Sequence, residues 1–423
     1  MILIIIFVLG YLCIALEHVL KIDKAATAIT TGVLCWVAYA LGHQSDLQHI
    51  NEELILKLGE ISSILFFLIC AMTIVELIDT YNGFEIITNR ISTTSPLKLL
   101  WIVGIITFIL SAILDNLTTA IVMAALLRKL IKEKDLLWIF GGFVIISANA
   151  GGAFSPIGDV TTIMLWVGGQ VTTGSILTKD FVPSVVCLLV PLIMASFTLR
   201  NLKTMSSDLS DTATTHLASK REETLVLILG VTGLISVPVF KTFTHLPPFM
   251  GILLSLGILW IITERMHVKK NESNKKQLKI HSIIQKIDTS SVLFFLGILL
   301  AVGSLEIAGH LNSLAILLDE NIGNMYMINV AIGLLSAIVD NVPLVAGAMG
   351  MYDLNTYPVD HNFWTFLAYT AGTGGSVLII GSAAGVAIMS ALKIDFIWYV
   401  KKISLFALCG YLAGSLVYIL LNA

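Results

Sequence analysis

The stretch Ser111–Ala120 reads SAILDNLTTA, and it sets a carboxylate, Asp115, and an amide, Asn116, in the middle of an apolar run from Leu97 to Ile131. Apart from Lys98 at its start, that run has no other charge before Arg128. The rest of the chain says what surrounds it. Of 423 residues, 57% are hydrophobic and 13% charged, with a mean hydropathy of +0.91. A soluble domain carries about 25% charged residues. Apolar runs of spanning length recur at 2–20, 25–41, 61–78, 181–199, 224–240, 247–263, 290–309 and 396–423. The chain is therefore an all-α polytopic membrane protein. A charge in hydrocarbon costs at least a few kcal/mol, so Asp115 is a functional candidate from the outset.

As one straight helix, the 35 residues of 97–131 would be about 52 Å long against a hydrocarbon core of about 30 Å. A re-entrant hairpin with Asp115–Asn116 at its tip fits better. Such a tip is tolerated only against protein or a water-filled cavity. The motif also occurs twice. SSILFFL at Ser62 returns as SSVLFFL at Ser290, SAILDN at Ser111 as SAIVDN at Ser336, and AGGAFSPIGD at Ala150, loosely, as TGGSVLIIGS at Thr373. The spacings are 228, 225 and 223. Five spans separate equivalent points, and an odd number turns the second repeat over. Inverted repeats with broken helices are a mark of secondary transporters.

The organisation expected is 1–60, N-terminal helices and a connecting loop; 61–222, a first repeat with hairpin 97–131 and broken helix 136–168; 223–289, linking helices and a basic loop; and 290–423, a second repeat with hairpin 325–352 and broken helix 363–392. With this layout one face collects 22 of the 25 Lys and Arg, and the other has only Lys57, Lys179 and Lys241. The basic face should be cytoplasmic and both termini extracytoplasmic. The run Arg265–Lys279 reads as a solvated cytoplasmic loop beside membrane lipid.

Segment 136–168 has a polar centre containing Asn149, Ser155, Pro156, Asp159, Thr161 and Thr162 among glycines, so its helix should break. A break exposes carbonyls beside hydroxyls and carboxylates, the oxygen ligands that hard cations take. The second break has glycines and serines, with Ser382 where Asp159 would be. Asp115, Asp159 and Asp340 thus stand with no Lys or Arg in the four elements at their depth. Three carboxylates without compensation want a cation, a proton, or each in turn. The five cysteines lie in apolar spans and read as small hydrophobes. The net charge of -3 marks no partner, and no nucleic-acid binding is expected. With no phosphate-binding loop visible, neither an enzyme nor a resident cofactor is expected.

The SAxxDN tips, NAGGAFSPIGDVTTIMLW (149–166) and AGTGGSVLIIGSAAGVA (371–387) resemble NhaD-type sodium/proton antiporters of the ion transporter superfamily. The resemblance spans nearly the whole chain. It implies exchange of Na+ or Li+ for H+ in a bacterial inner membrane, with a homodimer by analogy. It implicates Asp115, Asn116, Asn149, Asp159, Thr161, Thr162, Asp340, Asn341, Ser111, Ser336 and Ser376 in cation and proton binding, with Asp115, Asn116, Asp340 and Asn341 around Na+. Dicarboxylate carriers of the superfamily have Ser-Asn-Thr at the tips, where this chain has Asp-Asn-Leu and Asp-Asn-Val. The reading is an antiporter in which sodium and protons compete for the same carboxylates. The alternatives are a sodium-coupled dicarboxylate or sulfate symporter or an arsenite exporter of the same superfamily, and, from another class, a cation channel.

Overall fold

The computed structural model describes residues 2–15, 17–42, 47–88, 93, 95–198, 218–267 and 278–423. Much of the basic loop 265–279 and of loop 200–222 lies outside these residues. Among the described residues every regular element is a helix. The first part contains α1 (Ile2–Ala15), α2 (Glu17–Leu20), α3 (Lys24–Gly42), α4 (Leu47–Thr80), α5 (Glu85–Thr88), α6 (Pro96–Leu114), α7 (Asn116–Leu130), α8 (Lys134–Ala153), α9 (Val160–Val167), α10 (Thr173–Lys179) and α11 (Phe181–Thr198). Then follow α12 (Lys220–Thr244), α13 (Pro248–His267), α14 (Ile280–Ile284), α15 (Thr289–Ile307), α16 (His310–Asn321) and α17 (Met325–Leu335). The chain closes with α18 (Asn341–Met351), α19 (Asn362–Gly374), α20 (Ala383–Leu392), α21 (Phe396–Lys402) and α22 (Ser404–Asn422). Nine of the described helices are long and apolar enough to cross a membrane.

The polarity is that of a membrane protein. Phe197 and Phe243 are 78% and 81% exposed, whereas Ser147, Asn149, Asp159, Thr161 and Thr162 are buried. Large apolar groups face outward where lipid receives them, and polar groups satisfy one another inside. The most enclosed span is α8, which packs against α6, α7, α11, α19 and α20.

All four expected breaks are present. Helix is interrupted at Asp115, over 154–159, over 336–340 and over 375–382. The helices on either side of Asp115 have 19 and 15 residues, and those on either side of 336–340 have 11 each. The run 396–423 is not one span: α21 bends 113° from α20, and α22 starts afresh at Ser404. Asp395 caps α21, and Lys401 and Lys402 close its last turn, so its ends suit a short polar-edged helix.

The two halves make the same contacts at the same offsets. A Cβ on Gly151 would lie 2.2 Å from the Phe108 carbonyl oxygen, and one on the equivalent Gly374 would lie 1.9 Å from that of Gly333. Only glycine allows backbones to meet so closely. The Ser111 hydroxyl donates to the Ala148 carbonyl at 2.6 Å, and Ser336 donates to the equivalent Ala371 at 3.0 Å. In each half, therefore, the helix that precedes the Asp-Asn pair is pinned to the helix that breaks at a polar centre.

Charged contacts sort by face. Lys57 pairs with Glu306 at 2.9 Å, and Lys241 donates to the Trp166 carbonyl at 2.8 Å. Lys179 donates to Asp360 and Asn362. Lys57, Lys179 and Lys241, the three expected on the sparsely basic face, are thus each held by a nearby partner. Among those expected on the basic face, Lys129 meets Glu85, and Lys286 meets Glu76 at 3.7 Å. A cavity of about 390 Å³ opens between α4, α9, α15 and α18, lined by Lys57, Glu306, Met164, Gln170 and Met349.

Candidate functional site

Each break ends on a residue that caps the half-helix after it. Asp115 caps α7, Asp159 caps α9, Asp340 caps α18 and Ser382 caps α20. A carboxylate suits that position because it accepts from free N–H groups and faces the positive end of the helix dipole. At Asp115, Oδ1 accepts from the Thr118 amide at 2.7 Å and Oδ2 from the Thr118 hydroxyl at 2.8 Å. Its backbone is held at φ 127, ψ 160. That region is essentially glycine's, and an aspartate there costs on the order of 1–3 kcal/mol. Strain of this kind at the joint between α6 and α7 singles out Asp115 in its own right.

The buried network is built on two amides. Asn116 Nδ2 donates to Asn149 Oδ1 at 3.1 Å and to Asp159 Oδ2. Asn149 Nδ2 donates to Ser376 Oγ and to Ser382 Oγ, each at 2.9 Å. Asp159 Oδ1 accepts from the amide and the hydroxyl of Thr161, both at 2.9 Å. One side chain, Asn149, therefore joins the start of α7 to the second half's break. Asn116, Asn149, Asp159, Thr161, Ser376 and Ser382 form one chain of contacts.

The other expected residues lie around it. The Thr162 hydroxyl accepts from the Asp159 backbone N–H at 3.3 Å, which completes the capping box, and donates to the Asp159 carbonyl at 2.8 Å. Ser111 and Ser336 direct their hydroxyls to carbonyls of the broken helices, as described, and tie the segments before Asp115 and Asp340 to those helices from outside the network. Asn341 is buried at the start of α18. Asp115 and Asp159 lie within electrostatic range of each other, as do Asp159 and Asp340. Among the described residues, however, no three of His, Cys, Asp and Glu gather closely enough to share one metal ion. The three carboxylates are neighbouring stations and not a single cage.

The expectation of uncompensated carboxylates needs correction. Asp340 Oδ2 lies 3.4 Å from the ammonium of Lys24, which arrives from α3, 316 residues away in sequence. The sequence reading looked for cations only within the four site elements and so missed it. Thr118 and Ser382 were also absent from the expected set. The repeat offset that matches Ser382 with Asp159 was the available signal for the latter. Glu76 and Glu306 are engaged by Lys286 and Lys57, away from this network. Asp180, between α10 and α11, is fully buried, and neither carboxylate oxygen has a hydrogen-bond partner among the described residues.

Residues 1–365 match the model of the CitMHS family, described as citrate transporter. The chain belongs to the CitMHS family. Within it, this sequence is 48% identical over 419 residues to sodium/proton antiporter 1 of Arabidopsis thaliana, covering 98% of this chain and 71% of that protein. It is 44% identical to sodium/proton antiporter 2 of the same plant, covering 98% and 97%. It is 30% identical to the Na(+)/H(+) antiporter NhaD of Alkalimonas amylolytica, covering 99% and 90%. The resemblance to NhaD-type antiporters therefore holds over the full chain. This CitMHS member is a multi-pass membrane protein whose relatives are transporters.

Proposed function

We propose that this protein is a secondary antiporter that exports Na+ or Li+ in exchange for H+. The observation that carries the reading is the capping of three of four half-helices by aspartate. A helix N-terminus is worth about half a positive charge, so four of them bring about two. Three ionised carboxylates outweigh that by about one negative charge, which the Lys24 ammonium beside Asp340, a monovalent cation or a proton can each offset. The carboxylate, amide and hydroxyl oxygens of Asp115, Asn116, Asn149, Asp159, Thr161, Ser376, Asp340 and Asn341 are hard ligands suited to Na+. A carboxyl taken out of water favours its neutral form, and a bound cation favours the ionised form. Sodium and protons thus exclude one another, and that exclusion couples them.

The family's description names citrate, a polyanion that the same carboxylates would repel. The relatives named above are sodium/proton antiporters by name, which supports the cation reading. Access alternates as the hairpins and breaks move against the surrounding helices. We place the basic face toward the cytoplasm and both termini on the opposite side of a bacterial inner membrane, with two copies assembling as a dimer.

The test is recovery of a pH-dye signal in energised everted vesicles on addition of NaCl, LiCl or KCl. Na+ and Li+ should collapse the proton gradient, and Asp115→Asn and Asp340→Asn should abolish the response at normal membrane expression. A wild-type protein inert to both salts refutes the reading.

A further inference from the structure

Lys24 opens α3, where Asp23 accepts from the Ala25 amide at 2.7 Å and fixes the start of the helix. Helix α3 packs along α15, and the Gly32–Gly297 approach brings their backbones close. The Trp36 indole donates across the same seam to the Leu300 carbonyl at 2.9 Å. Lys24 is thus anchored to a pair of helices outside both hairpins. From there its side chain enters a small cavity of about 70 Å³, lined by Tyr11, Glu17, Val339 and Asp340.

The ammonium makes two contacts at once. It lies 3.4 Å from Asp340 Oδ2 and over the face of buried Phe294, 4.5 Å from the ring centroid. Charge-assisted N–H···O contacts close to about 2.7–2.9 Å when they are tight. Lys57–Glu306, at 2.9 Å, is such a contact, whereas Lys24–Asp340 is half an ångström looser. Asp340 keeps its other oxygen for the Val342 amide at 3.3 Å, so Oδ2 is the oxygen that turns toward the cavity. Lys24 and Asp340 are 22% and 17% exposed, within reach of water and ions. The ring face already holds the ammonium and continues to do so without Asp340, which lowers the cost of giving up the carboxylate.

We infer that Lys24 is a resident counter-cation for Asp340 that the transported cation displaces. This rests on the antiporter reading above. With the site empty, the ammonium supplies the single positive charge that the four caps lack, and it ties the tip of the second hairpin to α3. When Na+ takes Oδ2, Lys24 gives up Asp340, keeps its contact with Phe294, and the tie is released. Lys24 is then an internal competitor of sodium, and removing it strengthens apparent binding.

The experiment uses the full-length protein in liposomes, with half-saturating Na+ measured both for exchange and for Na+-induced thermal stabilisation of the same preparation. Lys24→Met should lower both values by roughly two- to five-fold, the range of a partly exposed ion pair. Lys24→Cys, with the five native cysteines replaced, should behave like Lys24→Met. Aminoethylation of that cysteine restores an ammonium and should return the wild-type value, whereas sulfonatoethylation should not. The cysteine series stands alone if Lys24→Met does not fold. Values unchanged or raised on removing the ammonium, in a protein that still exchanges, overturn the displacement role and leave antiport standing. Absence of exchange in the wild-type protein instead overturns the functional reading and this inference with it.

Discussion

Asn149→Ala tests whether the two halves are joined at a single amide. Asn149 accepts one hydrogen bond, from Asn116, and donates two, to Ser376 and Ser382. In membranes such bonds average about 0.6 kcal/mol each, so three amount to about 2 kcal/mol. Asn149 is fully buried, and the cavity left by the lost amide adds to that figure. Asp159 keeps its bonds from Thr161, so the first break remains capped. The loss should therefore fall on the junction between halves and on cation affinity, not on the folding of either break. A loss of about 2 kcal/mol expressed wholly in binding is about a thirtyfold rise in half-saturating Na+. The assay pairs Na+-dependent exchange in liposomes with thermal unfolding in detergent, with and without Na+. Asn149→Ala should unfold at lower temperature and show a much smaller Na+-induced rise. Wild-type half-saturation and an unchanged Na+-induced rise would show that the bridge is incidental and refute the reasoning.

Three further outcomes follow from the same structure. Half-saturating Na+, measured at zero membrane potential, should fall about tenfold per pH unit, equivalent to about 1.4 kcal/mol, wherever the site still holds its proton; a flat profile excludes direct competition. Gly374→Ala forces a methyl to 1.9 Å from a backbone carbonyl and should sharply reduce the yield of folded protein, whereas Gly174→Ala, with nothing within 4 Å of its Cβ, should leave it unchanged; equal yields would disprove the close contact. A cysteine at Asn355 should react with an impermeant reagent added outside the cell and one at Gln285 only after lysis, and the reverse pattern would invert the orientation.

The site's framework was legible because it is written locally and written twice. SAILDN and SAIVDN mark both tips, and each break falls where Gly, Ser and Pro accumulate. The cap positions follow too, since Asp159 and Ser382 match under the repeat offset. What was illegible is what depends on distant packing. No property of Lys24 in sequence distinguishes it from a lysine at a membrane edge, and only the α3–α15 seam carries it to Asp340. The clamp roles of Ser111 and Ser336 were hidden for the same reason. Helix α16 was missed because 310–321 alternates apolar with polar residues too sparsely for a span, and it lies half-exposed. The split near Ile403 was masked by an almost unbroken apolar run in which only Lys401 and Lys402 stand out.

The glycine contacts have a mechanical meaning. Backbone pressed on backbone at Gly151–Phe108 and Gly374–Gly333 leaves no flexible side chain to absorb displacement. Each joined pair of helices is therefore stiff. Compliance is left to the places where long side chains bridge a gap, such as Lys24 with Asp340. In the exchange cycle proposed above, lengthening or shortening those bridges would tune speed while each stiff pair kept its internal geometry.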